Sequence, residues 1–188
     1  MKRIKLPILE ITYREHFLLK SLYMSIHEWL QENSYVDVVG SRLHNFLEIL
    51  YMERHIPNKD MRIWWRAYKT IERNTYYRYK INILFRILNM VDKEMMVNGK
   101  KLKVQYGEVT MMFFPFVEMD FEDKWAKHPL LSHFDSIFRR RIFYRELNTH
   151  KKELYRDVYR LHGMIKKFLE LKSFMPDLES FHEKFDKM

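Results

Sequence analysis

The chain has 188 residues, of which 47% are hydrophobic and 16% aromatic, so it carries enough apolar material to bury one packed core. This content argues against a disordered chain, because disordered proteins lack the apolar surface that offsets chain entropy. Cysteine is absent, which excludes disulfides, thiolate nucleophiles and cysteine-ligated zinc. The net charge of +9 indicates either an anionic partner or solvated basic helix faces.

The N-terminus is basic, but no apolar run of signal-peptide length follows it. The longest apolar run, residues 111–117, is much shorter than the roughly 20 residues of a membrane-spanning helix. The sequence therefore predicts a cytoplasmic protein that is neither secreted nor integral to a membrane.

The first predicted elements are a strand and a helix. Residues 3–13 predict a short strand, with a change of phase between Ile8 and Leu9. Residues 16–33 predict a helix, because apolar residues recur there at three- and four-residue steps. A loop that includes Gly40 follows.

The middle of the chain predicts an antiparallel meander of about six strands. Asn98 and Gly99 are a strong hairpin signal, because a tight primed turn needs two residues with positive φ. Strict alternation of apolar and polar residues marks the clearest strands. The predicted strands cover residues 45–55, 61–72, 77–87, 94–97, 101–105 and 108–121.

Helices return in the C-terminal part. Pro129 suits the first turn of a helix over residues 130–138. A longer helix carries Leu154, Leu161 and Phe168 on one face, and it ends before Pro176. A last amphipathic segment is predicted over 178–185. The whole chain, residues 1–188, is predicted to be a single α+β domain with these helices packed on the sheet.

This order of elements resembles the helix-grip fold of START-like and birch-pollen-allergen-like proteins. In those families a curved sheet wraps the C-terminal helix and often leaves an apolar cavity between them, and the resemblance implies the same for this chain. The family's glycine-rich loop is missing here, and the C-terminal helical region is longer. A simpler α+β sheet with helices on one face is the alternative.

A second resemblance is carried by three short segments. They are similar to segments of uncharacterised archaeal proteins of similar length, and the likeness implies a folded domain without implying an activity. The segments are Ile63-Trp64-Trp65-Arg66, Tyr76-Tyr77-Arg78-Tyr79 and Tyr106-Gly107-Glu108-Val109.

Nine histidines make a metal site the first chemistry to consider. His128 and His133 are five residues apart with Asp135 nearby, whereas two ligands on one helix are normally three or four residues apart. Ser132, His133 and Asp135 are neighbours in sequence, whereas a catalytic triad joins distant segments. The chain also lacks a nucleophile elbow and a glycine-rich phosphate loop. It therefore predicts no catalytic residues, no metal and no cofactor, and favours a non-enzymatic protein.

Residues 111–117 are apolar on both faces of their predicted strand, which a sheet with one face in water does not tolerate. A helix layer, an apolar ligand or the second subunit of a homodimer must cover them. Pro115 has no N–H for strand pairing, which predicts an edge or a bulge at this position. The many methionines suit an adaptable pocket lining, and an ordinary core is the alternative interpretation. The candidate pocket residues are Trp65, Phe85, Met111, Phe113, Phe114, Phe116, Leu161 and Ile165.

The strand over 61–72 alternates arginines with aromatic residues on its polar face. Such rings can stack on bases while guanidinium groups contact phosphates. Alternatively, arginine stems packed on the rings stabilise the sheet internally, or a helix covers this face. The candidate nucleic-acid residues are Arg62, Trp64, Arg66, Tyr68, Arg78 and Lys80 on the sheet, with Arg156 and Arg160 on the C-terminal helix.

Two functions of a non-enzymatic binding protein follow. In the first, the protein holds an apolar small molecule or a protein partner against a curved sheet. In the second, it associates with RNA or the ribosome through the polar sheet face and the basic C-terminal helix. Peripheral attachment of that helix to anionic membranes is a third possibility.

Overall fold

A computed structural model of the chain describes residues 2–35, 48–55, 57–71, 74–97, 100–128 and 144–174. Its helices are α1 (Leu19–Glu32), α2 (Lys124–Lys127) and α3 (Tyr144–Phe174). The predicted helix over 130–138, the segment over 178–185 and the loop at Gly40 lie outside the described residues. The strands are β1 (Lys2–Lys5), β2 (Leu9–Phe17), β3 (Glu48–His55), β4 (Lys59–Ile71), β5 (Asn74–Val97) and β6 (Lys100–Met119).

The six described strands form one antiparallel sheet, in which β3, β4, β5 and β6 follow one another as a meander. β1 and β2 both pair with the free edge of β6, β1 near its C-terminal end and β2 along its middle. The predicted α+β class is confirmed. The predicted antiparallel sheet is also confirmed, but its meander has four described strands instead of about six, because β5 and β6 are each one long strand where the sequence predicted two.

β5 and β6 pair along most of their length. The ladder runs from Tyr77, opposite Met119, to Val97, opposite Lys100. Val97 and Lys100 flank the predicted Asn98-Gly99 turn, which itself lies outside the described residues, and their pairing agrees with a two-residue hairpin.

A bulge explains why each of these strands was predicted as two. Leu88 and Val91 pair with residues of β6 that are only two apart, so Asn89 and Met90 both oppose Gly107. Asn89 has a φ of 53°, which asparagine tolerates better than most residues. Glycine at position 107 lets the bulged backbone approach, because a Cβ there would lie 3.0 Å from both Leu88 O and Met90 Cα.

Pro115 lies opposite the break between β1 and β2. Its carbonyl accepts a hydrogen bond from the N–H of Leu6 (3.0 Å), so its nitrogen also points to the N-terminal edge. Proline has no N–H to donate, and residues 6–8 pass this point between the two strands. The single strand predicted over 3–13 is therefore divided, and Pro115 lies in an inner strand, not at the edge or bulge expected of it.

Helices α1 and α3 cover one side of the sheet and enclose the core. Trp65, Phe85 and Phe113 point to this side and have no exposed surface. The predicted helix over 16–33 and the long C-terminal helix are confirmed, and α3 packs against β2, β6 and α1. No helix within the described ranges is long and apolar enough to cross a membrane. The fully buried helix residues are Leu22, Ile26, Leu30, Leu154, Val158, Leu161 and Ile165.

Two buried tyrosines tie α3 to the sheet and to the end of α1. The Tyr79 hydroxyl of β5 donates to Glu153 (2.6 Å) and lies 2.7 Å from Nδ1 of His150, both on α3. Tyr35, which follows α1, donates to Asp157 of α3 (3.0 Å). Burial raises the pKa of both hydroxyls, and the neighbouring carboxylates raise it further.

We expect Gly107→Ala to lower the free energy of unfolding by about 1–3 kcal/mol, because the new methyl group must displace backbone at the bulge. Gly163→Ala is the matched control. A Cβ at position 163 meets nothing within 4 Å, so this helix substitution should stabilise the protein by about 0.5–1 kcal/mol. Urea denaturation measures both changes in the free energy of unfolding. Equal changes in the two variants would contradict the close approach of backbone to Gly107 at the bulge.

We expect the free energy of unfolding to fall as the pH rises above about 10, the pKa of tyrosine in an unfolded chain. Burial also raises the pKa of Tyr23 and Tyr77, so above this pH the folded chain holds more protons than the unfolded chain. Urea denaturation across the alkaline range measures the fall. In a variant carrying Tyr35→Phe and Tyr79→Phe, the free energy of unfolding should fall less steeply with pH. An unchanged dependence on pH would show that these two tyrosines do not cause the loss of stability.

Candidate functional site

The side of the sheet that points away from α1 and α3 carries six of the predicted nucleic-acid residues. Because side chains alternate along a strand, the neighbours of core residues such as Trp65 and Phe113 point to this second side. We call it the basic-aromatic face. It consists of Arg62, Trp64, Arg66 and Tyr68 of β4, Arg78, Lys80, Asn82 and Leu84 of β5, and Met112, Phe114, Phe116 and Glu118 of β6.

Cross-strand pairing arranges the middle of this face as a lattice. Residues that pair directly across β4, β5 and β6 form rows, and neighbouring rows are two residues apart along each strand. Asn82 is at the centre of three such rows. The rows are Tyr68–Lys80–Phe116, Arg66–Asn82–Phe114 and Trp64–Leu84–Met112.

A buried carboxylate organises one end of the face. Glu118 has no exposed surface; its Oε1 accepts from Nε of Arg3 (2.9 Å) and its Oε2 from Nη2 of Arg78 (2.6 Å). Nζ of Lys80 lies 3.7 Å from Oε1, beyond hydrogen-bonding distance. Three cations thus surround one carboxylate and join β1, β5 and β6.

The same cations pack on aromatic rings. The guanidinium carbon of Arg78 lies 4.5 Å from the ring centroid of Tyr68 and 4.7 Å from that of Phe121, and Lys80 Nζ lies 5.0 Å from that of Tyr68. Burial lowers the pKa of Lys80, which is 4% exposed. Tyr68 is also buried, so its ring offers little stacking surface. At this end the contacts match the internal interpretation, in which cations and rings stabilise the sheet.

The centre of the face is different. Trp64 and Phe114 belong to strands on opposite sides of β5, yet their rings stack with centroids 5.8 Å apart at an angle of 25°. The two half-buried rings therefore meet above β5. Arg62 and Arg66 are exposed beside them, and neither forms an ion pair with any residue that the structure describes. Unpaired guanidinium groups thus flank a stacked ring pair.

The predicted pocket residues are divided between the two sides of the sheet. Phe114 and Phe116 lie half-buried on the basic-aromatic face. None of the eight lines the clefts at α1 and α3, at β4 and α3, or at β3 to β5 that the described residues form. The other six, all fully buried in the core between the sheet and the helices, are Trp65, Phe85, Met111, Phe113, Leu161 and Ile165.

The two predicted helix residues also lie apart from the basic-aromatic face. Arg156 and Arg160 of α3 border a cleft on the helix side, together with Lys69, Tyr79 and Asp157. Arg160 Nη1 is 3.9 Å from Asp157 Oδ1. The candidate nucleic-acid residues therefore form two surfaces on opposite sides of the sheet.

Metal chemistry finds no support in the described part of the chain, where no group of three or more His, Asp and Glu residues could hold an ion. His128 is exposed, whereas Ser132, His133 and Asp135 lie outside the described residues. Three polar residues of the site were missed from the sequence: Arg3 and Glu118, which pair although they are 115 positions apart, and Asn82. Asn82 occupies one of the polar positions of an alternating strand, so no local signal showed that its side chain is buried.

Comparison of the chain with protein-family models, with characterised proteins and with solved structures finds no match. The resemblances to helix-grip and archaeal proteins therefore stay predictions. The function has to be argued from the geometry of the basic-aromatic face.

We expect Glu118→Gln to lower the free energy of unfolding by about 3 kcal/mol, because it removes the counter-charge of Lys80, which is buried, and of Arg78, which is mostly buried. Arg3→Gln should cost less than about 1 kcal/mol, because the Arg3 side chain is 50% exposed. Urea denaturation compares the two variants. A similar small loss in both would show that Glu118 does not organise this end of the face.

Proposed function

We propose that the protein binds single-stranded RNA on the basic-aromatic face. The observation that carries this proposal is the stacked pair of Trp64 and Phe114, flanked by the exposed guanidinium groups of Arg62 and Arg66, which form no ion pair with the described residues. Aromatic rings on a sheet stack on unpaired bases, and neighbouring arginines contact the phosphates.

The charge of this side of the sheet supports an anionic partner. Two of its carboxylates are already paired, Glu108 with Arg14 and Glu118 with Arg3 and Arg78. The acidic residues on this side of β1, β2, β5, β6 and residues 61–71 are Glu10, Glu108 and Glu118. The basic residues there are Arg3, Lys5, Arg14, Arg62, Arg66, Arg78, Lys80, Arg86 and Lys93.

A second candidate function is the holding of an apolar ligand or a protein partner on the same face. Met112, Phe114 and Phe116 favour it, because these apolar side chains of β6 are only partly buried. The packing of α3 along β2 and β6 supports a helix-grip relationship, which also belongs to this proposal. An apolar ligand would bind almost independently of salt, whereas RNA binding must weaken as salt rises.

We expect an unstructured, fluorescently labelled RNA to bind and to dissociate as salt is raised from 50 to 200 mM, measured by fluorescence anisotropy. A variant carrying Arg62→Gln and Arg66→Gln should bind at least about tenfold more weakly. A plot of the logarithm of the binding constant against the logarithm of the salt concentration should have a slope that is shallower by about 1.4. This is the contribution of two phosphate contacts in a single strand.

Arg156→Gln with Arg160→Gln is the matched control, because it removes the same charge from the opposite side of the sheet. This variant should bind RNA like the unmodified protein. If only the helix variant lost RNA binding, the binding site would lie on α3 and not on the basic-aromatic face. If the unmodified protein did not bind RNA at 50 mM salt, the proposal would be refuted.

A further inference from the structure

Asn82 is a buried polar residue without a partner in the described part of the chain. Its side chain is 9% exposed, and its Oδ1 accepts no hydrogen bond from the described residues. Burying an amide oxygen without a hydrogen bond is unfavourable, whereas an apolar residue of the same size would be stable at this position. The unsatisfied amide therefore indicates a ligand that supplies the missing hydrogen bond.

The surroundings of Asn82 identify the chemistry of that ligand. Phe114 and Arg66 are its direct cross-strand neighbours, and the rings of Trp64 and Phe114 meet above the same strand. The amide oxygen is fully enclosed, so a flat ring must insert between the rings of Trp64 and Phe114 to present its edge to the amide. Arg66, exposed in the same row, is placed to contact an anion attached to that ring.

Resting on the proposed RNA-binding function, we propose that Asn82 recognises the edge of one nucleobase, whose ring stacks on Trp64 and Phe114 and whose phosphate contacts Arg66. A carboxamide both donates and accepts, so it matches a base edge with an adjacent acceptor and donor, as in the pairing of Asn with adenine. In single strands these edges are free. The site would thus give the RNA surface a base preference at one position.

The same chemistry would suit a nucleotide within an RNA strand or a free nucleotide, and the experiment separates the two. Affinities for oligo(A), oligo(C) and oligo(U) of equal length are measured by anisotropy at fixed salt. Binding of adenosine, cytidine and uridine monophosphates is followed by the quenching of tryptophan fluorescence, since Trp64 lies in the proposed stack. Asn82→Leu removes the amide and keeps the size of the side chain.

We expect the unmodified protein to bind one homopolymer about tenfold or more tightly than the weakest, in keeping with one well-placed amide contact. Asn82→Leu should bind all three homopolymers with the affinity that the unmodified protein has for its weakest one. The salt dependence of binding should not change, because the phosphate contacts are retained. Its thermal midpoint should be equal or higher, because an unsatisfied polar group has been removed. A merely structural role for Asn82 predicts the opposite, a lower midpoint with the base preference retained.

The outcomes distinguish this inference from the function on which it rests. RNA binding without base preference, or with a preference that Asn82→Leu retains, overturns the base site and leaves the RNA surface standing. Binding of a mononucleotide that is lost in Asn82→Leu, without RNA binding, supports the base site and overturns the RNA function. Absence of binding in both assays overturns both.

Discussion

The register between β5 and β6 decides which side chains enter the core and which form the basic-aromatic face. Apolar and polar residues alternate along β5, but residues 111–117 of β6 are apolar on both sides, so hydrophobic burial alone would barely oppose a slip of one residue. Polar and steric groups remove this ambiguity. The observed register brings Glu118 beside Arg78 and places Gly107 against the bulge, and a slip would lose both arrangements. Specificity here comes from a few particular contacts, while stability comes from the general apolar content.

Local periodicity allowed part of this structure to be predicted from the sequence. The alternation over 61–72 placed Trp64 and Arg66 on one side and Trp65 on the other, as the structure has them. The helical steps of α1 and α3 likewise identified their buried residues. In these segments a single period records which side is buried, so the pattern and the fold carry the same information.

What the sequence did not predict depends on contacts between distant residues. Gly107 looked like the end of a strand, because nothing local shows that a bulge 17 to 18 residues earlier in the chain needs the space. Pro115 looked like an edge residue, since the gap between β1 and β2 that accommodates it is formed by the other end of the chain. The eight pocket candidates were wrongly predicted to lie together for the same reason. Alternation in 111–117 gives two apolar faces, and only the tertiary structure shows that Phe114 and Phe116 lie on the side opposite the core.

The two parts of the basic-aromatic face differ in how far their polar groups are satisfied. Around Glu118 the charges have partners within the fold, and these contacts hold β1, β5 and β6 in a fixed arrangement. At the centre, Arg62, Arg66 and Asn82 have no such partners among the described residues, although one of them is buried. Selection for stability alone would favour an apolar residue at position 82, and departures of this kind concentrate at functional sites. Because the paired end fixes the strands, the unpaired groups are held on a rigid surface, which reduces the entropy lost when a ligand binds. Under the proposed function, the centre of the face binds the ligand, because its polar groups lack partners among the described residues, and the cations around Glu118 hold the strands that position it.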